Sequence, residues 1–237
     1  MKELKMNKIG LFLIAVLLGG CATTSKPVSL APSFWENKQQ LVGVAVSKSN
    51  PPVATMTGSQ GLLDLAINRG NAKQLISYLE KVDLPKLASL PNNFLTQLQA
   101  RGFNVKKIDE QIDVTKLAKF SGKSTETQQF SEYDFAKFKE LGVDRLLLIS
   151  VNRVGTTRNY YGFIPTNPPQ ADLALNGQLI DLKTHELLWN ETIVNNTPVA
   201  EPWDQPPSFE NVGAAVKSNL DQGVEKFEQS FFSGPVQ

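Results

Sequence analysis

Cys21 is the residue whose type and position most clearly predict a chemical modification. It is the only cysteine of the chain, so no intramolecular disulfide can form. Gly19 and Gly20 leave room for a peptidase at the preceding bond, and the thiol can accept a diacylglyceryl group. Residues 1–8 are cationic, and residues 9–18 form an apolar run shorter than the ~20 residues that a membrane-spanning helix needs. This arrangement predicts a signal peptide that is cleaved between Gly20 and Cys21.

The residues Leu18-Gly19-Gly20-Cys21 resemble the bacterial lipobox, with Leu three positions before the cysteine and a small residue directly before it. The resemblance implies that Cys21 is lipidated, with fatty acids such as palmitate, and becomes an acylated amino terminus. Each buried methylene contributes about 0.8 kcal/mol, so two or three acyl chains hold a protein at a membrane. Because Ala22 and not Asp follows, the resemblance also implies the outer membrane of a Gram-negative cell. The alternative is an ordinary signal peptide with an incidental cysteine.

The other reactive residue types do not have the spacing of a catalytic or metal site. His185 is the only histidine, it falls in a predicted exposed turn, and no second His or Cys of the folded domain can join it as a metal ligand. No serine has lysine three residues later, and neither Gly-x-Ser-x-Gly nor His-Glu-x-x-His occurs. Gly155 and Gly162 lack the spacing of a phosphate-binding loop. A pair of carboxylates that meet in space stays open, but the sequence predicts no enzyme, no cofactor and no metal.

The charge balance argues against a nucleic-acid partner. Of the 24 basic and 23 acidic residues, three Lys and one Glu lie within the predicted signal peptide, residues 1–20, so the rest of the chain is close to neutral. The next segment lacks apolar periodicity and contains Ser, Thr and Pro, which predicts a lipidated cysteine and a flexible tether over residues 21–40. Residues 41–237 have the length and apolar content of a single periplasmic domain.

Apolar periodicity predicts an α+β fold: a mixed sheet with a C-terminal three-strand meander and helices packed on it, including a long C-terminal helix. Residues 49–60, which include Pro51 and Pro52, are predicted to form a loop. The strand that begins at Arg145 has apolar residues on both faces, which is typical of a central strand. Strands are predicted over residues 41–47, 103–108, 145–161, 171–181 and 187–194, and helices over residues 61–82, 91–101, 131–141 and 212–231.

Two stretches resemble a known family. Residues 141–147 read Leu-Gly-Val-Asp-Arg-Leu-Leu, a helix end that enters a strand. Residues 177–184 read Gly-Gln-Leu-Ile-Asp-Leu-Lys-Thr, and Leu187-Leu188-Trp189 follows. They are similar to small periplasmic lipoproteins with the fold of the TolB N-terminal domain, a group that includes the curli secretion channel lipoprotein CsgG and the penicillin-binding-protein activator LpoB.

The second of these stretches forms a hairpin in that group. Gly177 is expected to allow a close backbone approach, Asp181 and Thr184 to hydrogen-bond within the turn, and Trp189 to fill the core. His185 stands where the group usually has Gly; His tolerates a positive φ better than most residues, and the type of the turn stays open. The resemblance implies a binding or assembly role, which the fold alone does not specify.

Aromatic residues cluster in two proline-rich loops. Tyr160, Tyr161 and Phe163 lie in the first, and Trp203 and Phe209 lie in the second. The strands before these loops are expected to run parallel, so both loops would leave the same end of the sheet, opposite His185. Exposed aromatic side chains at a shared edge are typical of a protein interface. The alternative is that the rings only cap the core.

These predictions favour a non-enzymatic outer-membrane lipoprotein that acts as an accessory or scaffold in cell-envelope assembly or secretion. Its expected partners are membrane lipid, through acylated Cys21, and a periplasmic or outer-membrane protein; self-association is also possible. An oligomeric secretion-channel component is one alternative, but residues 109–129 are too polar for a lipid-facing strand. A cell-wall hydrolase is the other, and its sequence motifs are missing.

Overall fold

The computed structural model describes residues 26–233, which form a seven-stranded mixed sheet and five α-helices. The strands are β1 Val42–Val46, β2 Val53–Ser59, β3 Val105–Lys107, β4 Arg145–Tyr161, β5 Ile164–Pro165, β6 Gln170–Asp181 and β7 Leu187–Pro198. The helices are α1 Pro32–Glu36, α2 Leu62–Asn71, α3 Lys73–Leu79, α4 Pro85–Ala100 and α5 Glu210–Phe232, with 3₁₀ turns at Val114–Lys116 and Ala136–Leu141. The predicted α+β class, meander and long C-terminal helix are confirmed.

Strand β4 is central, as predicted. β1 pairs in parallel with the start of β4, and β6 pairs antiparallel along its other edge. β7 continues the antiparallel meander, while β3 lies outside β1 and gives the main order β3-β1-β4-β6-β7. Beyond the end of β1, β2 pairs in parallel with the last part of β4. Strands β1, β4 and β7 therefore run in the same direction.

Helix α5 covers one face of the sheet. Gly177 of β6 gives it room, since a Cβ at this position would lie 2.2 Å from the Trp189 ring and 2.6 Å from the Phe227 ring. Trp189 is 1% exposed, which confirms the roles predicted for Gly177 and Trp189. The predicted apolar stripe of α5 is buried throughout: Val212, Val216, Leu220, Val224, Phe227 and Phe231.

One buried polar side chain, Asn219, lies beside this stripe. Its Nδ2 donates to the backbone oxygen of Asn195 in β7 at 3.0 Å. Its Oδ1 accepts hydrogen bonds from Asn195 Nδ2 at 2.8 Å and from Thr197 Oγ1 at 2.9 Å. A shift of α5 along β7 would leave these buried groups unsatisfied, so the network favours one register of the helix on the sheet.

Asn219→Ala is therefore expected to lower the free energy of unfolding by about 2–3 kcal/mol, because Asn195 and Thr197 lose a buried partner. Gln222→Ala, at an exposed position of the same helix, is the matched control, with an expected change within about 0.5 kcal/mol. Urea unfolding followed by circular dichroism measures both variants. Equal losses of stability would show that the network does not hold α5 on the sheet.

The segment predicted as a loop before α2 contains a strand instead. Residues 53–59 form β2, although Pro51 and Pro52 precede it. Its partner is the end of β4, with Met56 opposite Arg158. The pairing partner lies about a hundred residues along the chain, so the local composition alone does not reveal the strand.

The helix predicted over residues 131–141 is reduced to a 3₁₀ turn over its second half. Ser131 Oγ accepts the N–H of Tyr133 at 3.3 Å, and Asp134 Oδ1 accepts the N–H of Ala136 at 2.8 Å. These local side-chain bonds replace the capping box that the sequence pattern favours. Gly142 ends the element with φ 78°, as predicted.

The N-terminal segment packs against the domain where a flexible tether was predicted. Val28 and Asn190 of β7 exchange two backbone hydrogen bonds of 2.8 and 3.0 Å, and Asn190 Nδ2 donates to the Lys26 oxygen at 2.9 Å. Phe34 of α1 is 4% exposed and stacks on Phe103 with ring centroids 4.8 Å apart. The prediction of a free tether is wrong over residues 26–36, because the aromatic side chains of α1 bury enough apolar surface to dock this segment.

The predicted signal peptide, the cleavage bond between Gly20 and Cys21 and the lipidated Cys21 lie outside the described residues. Within residues 26–233, no helix combines the length and the apolar content that crossing a bilayer requires.

Candidate partner-binding site

The two aromatic loops leave the same end of the sheet, which we name the distal end. β4 and β7 run in the same direction, so the segments after Tyr161 and after Pro198 both lie there. β2 runs towards this end as well, beside the last residues of β4. The turn between β6 and β7, which holds His185, lies at the opposite end of the sheet.

At the distal end, the hairpin between β4 and β5 contacts helix α2. Gly162, in the turn of the hairpin, has φ 59°. Its N–H donates to the Ser59 oxygen at 2.8 Å, and its carbonyl accepts a bond from Asn68 Nδ2 at 3.1 Å. Six large apolar side chains around this contact are exposed, and we name them the apolar tip: Leu62 (89%), Leu63 (73%), Ile67 (39%), Tyr161 (72%), Phe163 (58%) and Ile164 (57%).

Helix α2 turns polar residues towards the hairpin and apolar residues towards solvent. Asn68 is 2% exposed and donates to Gln60 Oε1 at 2.8 Å as well as to Gly162. Asp64, one turn earlier, lies beside Gly162. Because Asp64 and Asn68 share the inner face, Leu62, Leu63 and Ile67 point away from the core.

A pocket of about 200 Å³ lies next to the apolar tip, between β2, β4, α3 and the segment that follows β7. Its lining is mainly apolar and aromatic, with contributions from Met56, Leu75, Tyr160, Trp203 and Phe209. These residues come from distant parts of the sequence and meet because β2, β4 and β7 all end at this side of the sheet. We name it the tip pocket.

Arg158 of β4 supplies a positive charge to the tip pocket. Its guanidinium carbon lies 4.2 Å from the ring centroid of Trp203 and 5.8 Å from that of Tyr160, which places the cation over both aromatic faces. Its Nε donates to the backbone oxygen of Asn167 at 2.8 Å. These contacts fix the orientation of the guanidinium within the pocket wall.

The five predicted partner-binding residues do not all have the same environment. Tyr161 and Phe163 are exposed members of the apolar tip, while Tyr160 and Trp203 are half-buried and line the tip pocket. Phe209 is only 7% exposed and belongs to the main core. The prediction of an exposed ring is wrong for Phe209, because it directly precedes α5 and packs inward.

Sequence reasoning missed the outward side chains of α2. It also missed Ile164 of β5 and Arg158 of β4. The available signal was the pair Asp64 and Asn68, whose spacing places two polar side chains on one helical face. An amphipathic pattern does not tell which face is buried. Here the choice depends on the carbonyl of Gly162, which lies 94 residues beyond Asn68.

His185 is not exposed, contrary to the prediction. It is 9% exposed, has φ 64°, and its ring stacks on Phe120 with centroids 4.3 Å apart. The turn is held by Asp181 Oδ1, which accepts the N–H of Lys183 at 2.8 Å and that of Thr184 at 3.0 Å. Across residues 26–233, no three His, Cys, Asp or Glu side chains converge closely enough to hold a metal ion.

No protein-family model matches the chain, and no curated protein sequence matches it. Solved structures similar to it include lipoprotein GNA1162 from Neisseria meningitidis, with 12% identity and a TM-score of 0.33 over 77% of this chain and 99% of that chain. Protein XCC0632 from Xanthomonas campestris has 14% identity and a TM-score of 0.38 over 89% of this chain and 93% of that one. The LpoB C-terminal domain from Salmonella enterica has 12% identity and a TM-score of 0.19 over 72% and 86%. These similarities include a bacterial lipoprotein; the resemblance to the TolB N-terminal fold and to CsgG stays a prediction.

Proposed function

We propose that this protein is a non-enzymatic accessory or scaffold protein, anchored to the bacterial outer membrane through lipidated Cys21, that binds a periplasmic or outer-membrane protein through the apolar tip. The exposure of six large apolar side chains at one end of the sheet carries this proposal. Monomeric proteins rarely leave such side chains clustered in water, and clusters of this kind mark interaction sites.

Burial of the apolar tip would offset much of the free-energy cost of association. Leu62, Leu63, Tyr161 and Phe163 are each more than half exposed, so a partner can remove most of their apolar area from water. Burial of one such side chain contributes about 2 kcal/mol, and four together contribute about 8 kcal/mol. This is on the scale of the cost of association. Gly162 ties the hairpin to α2, so little ordering is needed when the partner binds.

The proposed lipid anchor is supported by the lipobox-like residues that end at Cys21. The outer-membrane location is supported by Ala22, because the lipobox resemblance implies that a protein without Asp at this position is sorted there. The absence of catalytic spacing in the sequence supports a binding role. The near-neutral charge of the mature chain supports a protein partner over a nucleic acid.

Site-specific photocrosslinking in cells tests the partner directly. A photoreactive amino acid at Phe163 is expected to capture an envelope protein. The same residue at Lys183, which is exposed in the turn at the opposite end of the sheet, is the matched control and is expected to capture none of it. Capture of the same protein at both positions would contradict the proposed site. Capture of only a second copy of this chain would replace the proposal with self-association.

The double substitution Leu63→Ser and Phe163→Ser is expected to weaken binding of the captured protein at least about 30-fold, since central apolar anchors carry most of an interface's energy. Both side chains are exposed in the free protein, so its circular dichroism spectrum and unfolding midpoint should stay the same. Lys183→Ala serves as the control in the same titration by isothermal calorimetry. An unchanged affinity of the double variant would exclude the apolar tip as the binding surface.

A further inference from the structure

The tip pocket differs from the apolar tip in carrying a fixed cation. On the same strand, Arg153 is paired with Asp172 through hydrogen bonds of 2.6 and 3.2 Å, and this pairing raises the pKa of Arg153. Among residues 26–233, no Asp or Glu forms an ion pair with Arg158. The Nε of Arg158 is held by its bond to Asn167, and its other guanidinium N–H groups have no acceptor among the described residues.

The surroundings of Arg158 favour a carboxylate as its partner. A guanidinium that lies over the Trp203 ring sheds part of its water, keeps its charge and presents N–H groups in a planar fork that matches a carboxylate. Asp204 also lines the pocket, yet it is not close enough to Arg158 to pair with it. The negative charge of Asp204 repels a bound anion. A substitution that removes this charge is therefore expected to strengthen anion binding.

The rest of the pocket favours an apolar group next to that carboxylate. A volume of about 200 Å³ corresponds to roughly seven water molecules at about 30 Å³ each, which suits one large side chain and not an extended ligand. Met56, Leu75 and Tyr160 supply apolar and aromatic walls for such a side chain. The pocket also adjoins the apolar tip, where the proposed partner protein would bind.

We propose that the tip pocket binds a peptide segment of the partner protein in which a large apolar side chain neighbours a carboxylate. The apolar side chain fills the pocket, and the carboxylate accepts hydrogen bonds from the free N–H groups of Arg158. The inference rests on the proposed function, because it names the chemistry of the partner at the same end of the molecule.

Binding of the purified full-length protein to an array of immobilised peptides tests this inference. The peptides consist of Gly and Ser around one central pair, which is Phe-Glu, Phe-Gln or Gly-Glu. We expect the Phe-Glu peptides to retain the protein about tenfold more strongly than either of the other two sets, since a charge-assisted bond and apolar burial each contribute. Equal retention on Phe-Glu and Phe-Gln peptides would overturn the proposal.

Three substitutions assign the effect to the pocket. Arg158→Gln is expected to abolish the preference for Glu over Gln. Arg69→Gln removes the same charge from an exposed position of α2 and should leave the preference intact. Asp204→Asn should increase retention on the Phe-Glu peptides about threefold without changing retention on the Phe-Gln peptides. A preference that survives Arg158→Gln, or a decrease with Asp204→Asn, would also overturn the proposal.

The outcomes separate this inference from the proposed function. If the double variant of Leu63 and Phe163 loses the captured protein while the array shows no preference for Glu, the peptide chemistry is wrong and the partner-binding role stands. If the array shows the preference and photocrosslinking at Phe163 captures no protein, the pocket stands and the role of the apolar tip is wrong.

Discussion

Gly177→Ala is expected to lower the free energy of unfolding by about 3 kcal/mol, because the sheet and α5 have no room for an additional methyl group. The new Cβ would lie 2.2 Å from the Trp189 ring and 2.6 Å from the Phe227 ring. Both rings are fully buried and packed by other aromatic side chains, so neither can move without disturbing its neighbours. Urea unfolding followed by circular dichroism measures the loss.

Gly70→Ala is the matched control for this substitution. No atom lies within 4 Å of the position that its Cβ would occupy, and Gly70 is inside α2, where Ala is the better helix former. We expect this variant to gain about 0.5–1 kcal/mol of stability. Equal behaviour of the two Gly→Ala variants would show that the close contact of β6 with α5 is not required for stability.

Cys21→Ser is expected to abolish lipidation and to remove the protein from the outer-membrane fraction completely. A hydroxyl at this position cannot accept the diacylglyceryl group, so the acyl chains that hold the domain at the bilayer are lost. Labelling of growing cells with radioactive palmitate, followed by membrane fractionation and intact-mass measurement, reports both effects. A native protein with an unmodified thiol at Cys21 would contradict the proposed anchor.

Ala22→Asp provides the control for this experiment. It leaves the thiol of Cys21 in place, so incorporation of palmitate should match that of the unsubstituted protein. The resemblance to the lipobox implies that Asp at this position moves the protein from the outer to the inner membrane. Palmitate without a change of membrane would support lipidation and contradict the sorting argument.

The elements that the sequence predicts well are those in which the spacing of apolar residues identifies the buried face. In β6, the side chains of Leu173, Leu175 and Leu179 point towards α5. Helix α5 packs against them with one continuous apolar stripe. Such patterns fix both the type of an element and its inner face. The distal end lacks this redundancy: β2 is half exposed along its length, and its strand character depends on pairing with residues of β4 far along the chain.

The candidate site could be predicted only in part for the same reason. Tyr161 and Phe163 were recognisable because exposed aromatic residues cluster near prolines. The outward face of α2 was not, since the burial of Asn68 decides which face turns inward, and its partner Gly162 lies far along the chain. Arg158 carried no local signal, because its significance comes from the ring of Trp203, which is contributed by a different loop.

Because residues 26–36 pack on the domain, only a short segment can separate the domain from a lipid on Cys21. Cys21 and Lys26 are five residues apart, and an extended chain of that length spans at most about 17 Å. A lipid on Cys21 would therefore keep β7, at the edge of the sheet, within about 20 Å of the lipid headgroups. The height at which a partner is met would then depend on the tilt of a rigid body whose longest strand measures about 50 Å. Insertion of Gly and Ser residues between Cys21 and Lys26 would raise the domain above the membrane without altering any contact surface.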